Sequence, residues 1–337
     1  MLRQRKVATA LAIFAATNLC LLLAGFLAPY PAAEQHREFA YAPPIRIHFV
    51  DASGRFHLRP FVYSLVAVDG DGFSYREDPD IQYPIHFFVR RSAERHAFEV
   101  TEPANIFLFG TDGFGRDIFS RVLYGGRISM AAALLATLLS LLIGTVFGAT
   151  AGHFGGIADT SIMGVAELVL ALPWIYLLLA LRAALPLHLG TTQTFLLISA
   201  VIGVMGWARP ARLIRGVVLS AKERGFVMSA RGFGASEWYL LRRHVLPQAL
   251  GIILTQAVIL VPQFITAEAT LSFLGLGMNE PVPSWGNMLS AFQHFQVMSS
   301  YWWMVAPIIA LVLVSGSYFA LADVFDTERI RAGKSYA

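Results

Sequence analysis

The glycine-rich segment Gly110–Asp117 has the glycine spacing of a phosphate-binding P-loop. A P-loop also needs a Lys that reaches the phosphates and a Ser or Thr that holds Mg²⁺. Arg116 and Asp117 occupy those two positions here, and the carboxylate of Asp117 would repel a phosphate group. The segment therefore does not predict a nucleotide site on this chain.

Other sequence patterns of catalysis are also missing. There is no His-Glu-x-x-His and no Gly-x-Ser-x-Gly, and the nine His residues show no metal-ligand spacing. The single cysteine, Cys20, lies in an apolar stretch, so an intrachain disulfide is impossible. We expect no catalytic residue, metal or cofactor on this chain. If the protein performs work, we expect another subunit to supply the energy.

The charges of the chain are few and unevenly distributed. Only 14% of the 337 residues are charged, against roughly 25% in an ordinary soluble protein. Each charge-free stretch exceeds the ~18 apolar residues of a candidate membrane span. This low charge content excludes a soluble enzyme. The net charge of +4 indicates that basic loops are placed on one side of a bilayer, rather than nucleic-acid binding. The stretches are Val7–Ala33, Ile128–Ala158, Ala183–Ala208, His244–Ala267 and Pro281–Ala322.

These five stretches, together with the apolar segment Ser161–Leu185 that contains Glu167, predict six membrane spans. The first follows Arg3, Arg5 and Lys6 and is longer than the roughly 7–15-residue apolar core of a cleaved signal peptide, which is the alternative. A retained first span is therefore favoured. The predicted spans are Val7–Ala28, a helix within Ile128–Thr150, Ser161–Leu185, Thr191–Ala208, Gln248–Leu271 and Trp302–Ala322.

Loop charges predict the orientation of the spans. Arg209–Arg243 carries eight basic and two acidic residues, whereas Gly275–Tyr301 has no Lys or Arg. The positive-inside rule places the first loop in the cytoplasm and the second outside. Counting spans then places both termini in the cytoplasm. Glu34–Arg127, with 11 basic and 13 acidic residues, would lie outside.

This outside segment is predicted to form a small β-rich insertion. Residues alternate in Ile45–Val50, Phe56–Val68 and Ile85–Val89, a pattern typical of short strands. Asp-Gly pairs at 69–70 and 71–72 predict tight turns. Three arginines that follow are expected on an amphipathic segment at the outer membrane surface: Arg116, Arg121 and Arg127.

The basic loop has a helix–break–helix pattern. Gly234 suits the left-handed geometry that ends a helix, and Ser236 suits the cap of the next helix, with Glu237 in its first turn. Pro247 lies near the start of the fifth span. Two short helices at a fixed angle would form a rigid cytoplasmic knob. The alternative is a basic loop that only sets the topology.

This loop resembles the cytoplasmic EAA motif of binding-protein-dependent ABC importer permeases. The motif reads Glu-Ala-Ala, three residues, Gly, nine residues, an apolar site, then Leu-Pro. Ala230, Gly234, Leu246 and Pro247 match it, while Met228 replaces the Glu, Ser229 the first Ala, and His244 the apolar residue. Because Met228 replaces the Glu of the motif, a charge-assisted contact at that position is not expected. The helix–Gly–helix pattern is unchanged.

Two further segments narrow the resemblance to dipeptide, oligopeptide and nickel permeases. Gly110–Ser129 is similar to the segment before their second span. Glu268–Gly277, followed by Pro283–Gly286, is similar to the end of their fifth span. The C-type subunit of a peptide permease is the nearest type, because it has a first span followed by an outside loop.

The resemblance implies an all-α polytopic membrane protein with the six-helix type I ABC importer permease fold and a β-rich extracytoplasmic insertion. It implies two ATPase subunits with ATP and Mg²⁺, a homologous second permease, and an extracytoplasmic substrate-binding protein, in the inner membrane of a prokaryote. The expected divisions are 1–33 (N-terminus and first span), 34–108 (insertion), 109–322 (permease core, with coupling loop 209–247) and 323–337 (cytoplasmic tail). The residues expected to couple to the ATPase are Met228, Ser229, Ala230, Gly234, Ala235, Leu246 and Pro247.

Four polar residues within spans are candidates for the translocation pathway. A carboxylate inside a membrane is costly, which makes Glu167 and Glu268 functional candidates. The alternative for both is a position near a membrane surface. Gln256 and Gln263 lie seven residues apart, on roughly one helix face. The aromatic residues Tyr301–Trp303 are expected to form an interfacial belt.

The resemblance favours an importer of di- or oligopeptides that couples to its ATPases through residues 223–247. A nickel or other small-solute importer remains an alternative, because nickel permeases share the motifs. Two alternatives belong to other classes. A secondary transporter usually has coupling acids and inverted repeats, and the sequence shows no repeat. A membrane-anchored receptor would depend on the outside insertion.

Overall fold

The computed structural model describes residues 2–68, 73–91, 94–186 and 189–334. The Asp-Gly pairs at 69–72 lie outside these residues. The described part is predominantly helical. Its helices are α1 Leu2–Leu22, α2 Ala24–Leu27, α3 Ile118–Phe154, α4 Gly156–Ala171, α5 Trp174–Ala183, α6 Thr191–Met205, α7 Ala208–Lys222, α8 Gly225–Gly232, α9 Glu237–Leu240, α10 Leu246–Phe273, α11 Trp285–Leu289, α12 Phe295–Ser300 and α13 Ala306–Lys334. Its strands are β1 His48–Val50, β2 Phe56–Ala67, β3 Tyr75–Arg91 and β4 Glu94–Val100.

The chain forms two compact units. The first unit comprises Met1–Phe14, Met130–Leu271 and Ser315–Ala337. The second unit comprises Ala15–Ser129 and Ser272–Val314. The first contains most of the apolar helices and the second contains the β-sheet.

By length and composition, three helices among the described residues could cross a membrane unbroken. They are Ile118–Phe154, Glu237–Phe273 and Trp302–Val324. Two bent pairs raise this count to five if each pair is one span: α4 with α5, bent by 94°, and α6 with α7, bent by 44°. The apolar helix Val7–Leu22 is shorter. The chain therefore has several apolar helices of membrane-spanning character.

The third predicted span, Ser161–Leu185, is not one straight helix. Pro173 separates α4 from α5, and Leu172 before it has an extended backbone with ψ 142°. A proline disfavours helical geometry in the preceding residue, so α4 ends there. The fourth predicted span also differs, because its helix bends and continues as α7 through Lys222.

Glycines allow α3 and α7 of the first unit to pack closely. A Cβ atom added to Gly148 would lie 2.4 Å from the carbonyl oxygen of Ala211. Added to Gly144 or Gly152, it would lie 2.8 Å from Pro210 Cβ or 2.9 Å from Arg215 O. Small residues every four positions let membrane helices approach at backbone distance. This glycine face (Gly144, Gly148 and Gly152) sets the position of α7.

The second unit contains a four-stranded sheet in the order β1-β2-β3-β4, with every neighbouring pair antiparallel. One face covers buried apolar side chains, among them Val62, Ile85 and Phe107. The strands overlap the three predicted alternating stretches. The first half of β3 and all of β4 were not predicted, because charged residues interrupt their alternation.

A substitution at the glycine face tests the α3–α7 contact. We expect Gly148→Ala to destabilise the protein by about 1–3 kcal/mol, because the added methyl group overlaps the Ala211 carbonyl and the helices must separate. Thermal unfolding in detergent measures the effect. Gly251→Ala in α10 is the control, since nothing lies within 4 Å of its Cβ position. Equal unfolding temperatures for the two variants would contradict the contact.

Candidate functional site

The loop 209–247 is helical over most of its length. Gly234, with φ 85°, ends the α8 turn in left-handed geometry, as its sequence position predicts. The hydroxyl of Ser236 caps α9 by accepting a hydrogen bond from Tyr239 N. A π-helical turn, Leu241–Val245, joins α9 directly to α10. The loop is thus a rigid extension of an apolar helix.

An apolar cluster holds α8 and α9 of this loop against α7. The fully buried side chains of Ile214 and Val218 on α7 pack in one cluster with Val227 of α8 and Leu240 of α9. Burying an aliphatic side chain of this size contributes roughly 1.5–3 kcal/mol each. A force applied to α8 or α9 would therefore be transmitted to α7.

The seven predicted coupling residues divide into two groups. Ala230, Ala235 and Leu246 are half-buried and pack against the apolar cluster, so they hold the loop in shape. The other four are exposed and available to another protein. These are Met228, Ser229, Gly234 and Pro247.

Sequence reasoning missed an exposed aromatic surface on the same loop. Phe233, next to Gly234, is 93% exposed, and Phe226 and Trp238 are also exposed. Exposed arginines accompany them, among them Arg231 and Arg242. Aromatic residues and arginine are typical of the centres of protein interfaces. The signal in the sequence was the presence of several aromatics within a strongly basic loop.

Polar contacts connect the loop to the end of α3. Glu237 Oε2 lies 2.8 Å from Nε2 of the buried His153 and 2.9 Å from Arg231 Nη2. Lys222 Nζ, at the end of α7, donates to the carbonyl oxygens of Gly152 and His153. The last turn of α3 is therefore held by both α7 and α9.

The four pathway candidates have different surroundings. Glu268 is fully buried in α10. Gln256 is also buried, and its Oε1 has no hydrogen-bond partner within the described part of the chain. Glu167 is exposed, with Oε1 3.7 Å from Arg212 Nη2. Only Gln263 borders a cavity of about 380 Å³ in the first unit, together with Trp174 among others.

A second charged site lies in the second unit and corrects the sequence-based interpretation of Arg116 and Arg121. Arg116 Nε donates to Asp112 Oδ2 at 2.7 Å, and its Nη1 donates to Glu280 Oε2 at 2.6 Å. Arg121 Nη2 donates to Glu280 Oε1 at 2.8 Å. Both arginines are buried. They form an ion cluster (Asp112, Arg116, Arg121 and Glu280) rather than lying on a membrane surface.

The ion cluster borders a cavity of about 350 Å³ in the second unit. Tyr41 is part of the lining, and its ring stacks on that of Tyr301 with centroids 4.1 Å apart. Trp303 is buried, and its Nε1 donates to Thr111 O at 3.1 Å. The predicted aromatic belt is therefore wrong for Trp303, which packs inside the unit, and Tyr301 is half-buried. Trp302 alone of the three remains exposed.

Asp117, which argued against a P-loop, caps the start of α3. Its Oδ2 accepts hydrogen bonds from Ser120 N at 2.8 Å and from Ser120 Oγ at 2.6 Å. Complete burial raises the pKa of Asp117 to about 7. The position of this carboxylate is thus explained by capping, without any phosphate ligand.

Removing one charge from the ion cluster should destabilise the second unit. Loss of one member of a buried pair costs about 3–5 kcal/mol. Glu280 is 45% exposed, so we expect about 1–3 kcal/mol for Glu280→Gln, because water screens part of the interaction. Thermal unfolding in detergent measures it, with Glu223→Gln at an exposed glutamate as the control. An unchanged unfolding temperature would show that the cluster contributes no stability.

The raised pKa of Asp117 predicts a pH dependence. Between its ordinary value of 3.8 and about 7, the folded protein holds a proton that the unfolded chain has lost. Stability should therefore fall as the pH rises through that window. Asp117→Asn keeps a capping side chain but has no proton to lose, so its unfolding temperature should decline less. Parallel pH profiles of the two proteins would contradict this assignment.

Comparison with known proteins identifies the family. Residues 144–331, more than half of the chain, match the family described as "Binding-protein-dependent transport system inner membrane component". The match includes all of α4 to α10, and with them the loop 209–247.

Several characterised relatives are permease proteins. The dipeptide transport system permease protein DppC of Bacillus subtilis is 36% identical over 64% of this chain and 65% of its own length. OppC, the oligopeptide transport system permease protein of the same organism, is 39% identical over 56% of this chain and 60% of its own length. The glutathione transport system permease protein GsiD of Pectobacterium atrosepticum is 35% identical over 66% of this chain and 71% of its own length.

The chain thus matches about two thirds of the length of these relatives. Among solved structures, an inward-facing MetNI methionine ABC transporter matches 61% of this chain and 95% of its own chain, at 18% identity and a TM-score of 0.47, a similarity too low to establish a shared fold. The sequence matches are sufficient for family membership. The chain belongs to the family of inner membrane components of binding-protein-dependent transport systems.

Proposed function

We propose that this chain is a transmembrane permease subunit of an ABC importer for di- or oligopeptides. It would form half of the translocation pathway and perform no bond chemistry of its own. The observation that carries this proposal is the helix–Gly–helix loop, exposed at its tip and fixed to the apolar helices, within a family match to binding-protein-dependent transport systems. The names of the dipeptide, oligopeptide and glutathione permease relatives support the peptide substrate class.

The partners are two ATPase subunits, a homologous second permease and an extracytoplasmic binding protein. The chain would have six spans in the type I permease fold, with α1 as the first span and both termini in the cytoplasm. The charge difference between Arg209–Arg243 and Gly275–Tyr301 supports this orientation. In this arrangement the β-sheet lies on the extracytoplasmic side.

Coupling would begin where an ATPase grips α8 and α9. Phe233, which is 93% exposed, would enter an apolar recess of the ATPase beside Met228. ATP and Mg²⁺ would bind to the ATPase subunits. Closure of those subunits would displace the loop as a rigid body, because its inner face packs on α7 and the π-helical turn joins it to α10.

The pathway would include the 380 Å³ cavity beside Gln263. The lining is mainly apolar, with one amide (Gln263) and one guanidinium (Arg209), and suits peptides of varied sequence because it offers few fixed charges to discriminate among them. Glu167, Gln256 and Glu268 do not border this cavity. We assign them no contact with substrate in the conformation described here.

Substitution of Gly234 tests the function. Left-handed backbone geometry costs a β-branched residue about 1–2 kcal/mol, so Gly234→Val should reshape the break between α8 and α9. We expect much less ATPase to co-purify with the variant and peptide uptake to fall at least tenfold. Both are measured on the assembled transporter, by affinity purification and by uptake of labelled peptide.

Gly232→Val provides a matched control two residues away. Gly232 also has nothing within 4 Å of its Cβ position, but it does not have left-handed geometry. This variant should retain ATPase association and most of the uptake. Normal association and uptake in Gly234→Val would refute the coupling role. If the unsubstituted chain associates with its ATPase but the transporter takes up Ni²⁺ and not peptide, the proposed substrate class alone would be refuted.

A further inference from the structure

The hairpin formed by β3 and β4 is fastened to the end of the first apolar helix. The buried His96 of β4 donates from Nδ1 to the carbonyl oxygen of Ala28 at 2.9 Å. On β3, the ring of Phe88 lies with its centroid 6.1 Å from that of Phe26 in α2. The hairpin therefore contacts the chain where α2 ends.

Apolar side chains continue from that helix onto the hairpin. Leu19 and Leu22 of α1 are exposed, and Phe87 of β3 is 53% exposed. Phe88 is 77% exposed, although its backbone is left-handed with φ 56°. This geometry is unfavourable for a bulky residue and is found where a specific side-chain direction is required. The strain here holds a phenyl ring next to the apolar helix α2.

Two arginines of the same hairpin stand in an unfavourable pairing. Arg90 of β3 is directly opposite Arg95 of β4 in the antiparallel register, and both are exposed. Side chains in such a pair have Cβ atoms about 4.5–5.5 Å apart, and like charges at that position destabilise a sheet. Within the described residues, neither guanidinium has an ion-pair partner. An anion held between them would remove the repulsion.

We propose that the β3–β4 hairpin docks on the outer surface of the bilayer, with Phe87 and Phe88 at the interface and Arg90 and Arg95 sharing the phosphate of an anionic phospholipid. Aromatic rings and arginines are the residues that anchor proteins at headgroup depth. Arginines near an anionic lipid surface are attracted to it electrostatically. The phosphate receives hydrogen bonds from both guanidinium groups. The hairpin thereby fixes the insertion against the membrane.

Lipid contact can be measured on the full chain reconstituted in vesicles. Cys20→Ser removes the only cysteine, and Phe88→Cys or Leu58→Cys then carries one environment-sensitive fluorophore. Leu58 is the control, because it is an exposed apolar residue on β2 of the same sheet. Nitroxide-labelled lipids should quench the label at position 88 several-fold more than the label at 58. Replacing part of the phosphatidylcholine with phosphatidylglycerol should increase the quenching at 88.

Charge substitutions test the phosphate site. The double substitution Arg90→Glu and Arg95→Glu should abolish the increase in quenching at position 88 that phosphatidylglycerol causes. The milder Arg95→Gln should raise the unfolding temperature in neutral detergent, because it removes the like-charge pair, yet still weaken the response to phosphatidylglycerol. Equal quenching at 88 and 58, or quenching insensitive to phosphatidylglycerol, would overturn the proposal. Shielding of position 88 only after addition of the second permease would overturn it in favour of a protein contact. None of these measurements depends on transport.

Discussion

At Gly144, Gly148 and Gly152, α3 approaches α7 so closely that there is no room for a Cβ atom at any of the three positions. Between helices in a bilayer the hydrophobic effect contributes little, and close packing at small residues takes its place. This contact determines where α7 lies, and α7 carries the apolar cluster under α8 and α9. Loop 209–247 is therefore positioned by helix packing together with the contacts that Lys222 and Glu237 make with the last turn of α3.

Charges are used differently in the two units. In the second unit, two acids neutralise two buried arginines, and this ion cluster links the start of α3 to Glu280 in the segment after α10. In the first unit, most arginines of loop 209–247 are exposed, among them Arg231 and Arg242, on the loop that also carries the exposed aromatic rings, whereas the half-buried Arg215 pairs with Asp159. A neutralised buried cluster holds segments of one unit together, whereas an exposed basic and aromatic surface is available to a partner.

Local patterns were sufficient to predict several elements. Gly234 and Ser236 act through their own backbone and a neighbour three residues away, so the α8–α9 break is visible in the sequence. Long apolar runs likewise predict α3 and α10. The bend at Pro173 and the strand β4 were missed, because the apolar run before and after the proline is continuous and because charged residues interrupt the alternation of β4.

The contacts of Arg116 and Arg121 could not be predicted from local sequence patterns. Their partner Glu280 is more than 150 residues away, and no spacing rule connects them. The division of the predicted coupling residues into a half-buried group with Ala230 and an exposed group with Met228 likewise depends on α7 being close. By itself the sequence determined that the chain is a membrane protein, the way its loop charges are distributed and the helix–Gly–helix loop, because these follow from composition and near-neighbour geometry. Only the tertiary structure decided which charges are paired, which aromatics are exposed and where the helices touch, because those depend on contacts between residues far apart in the chain.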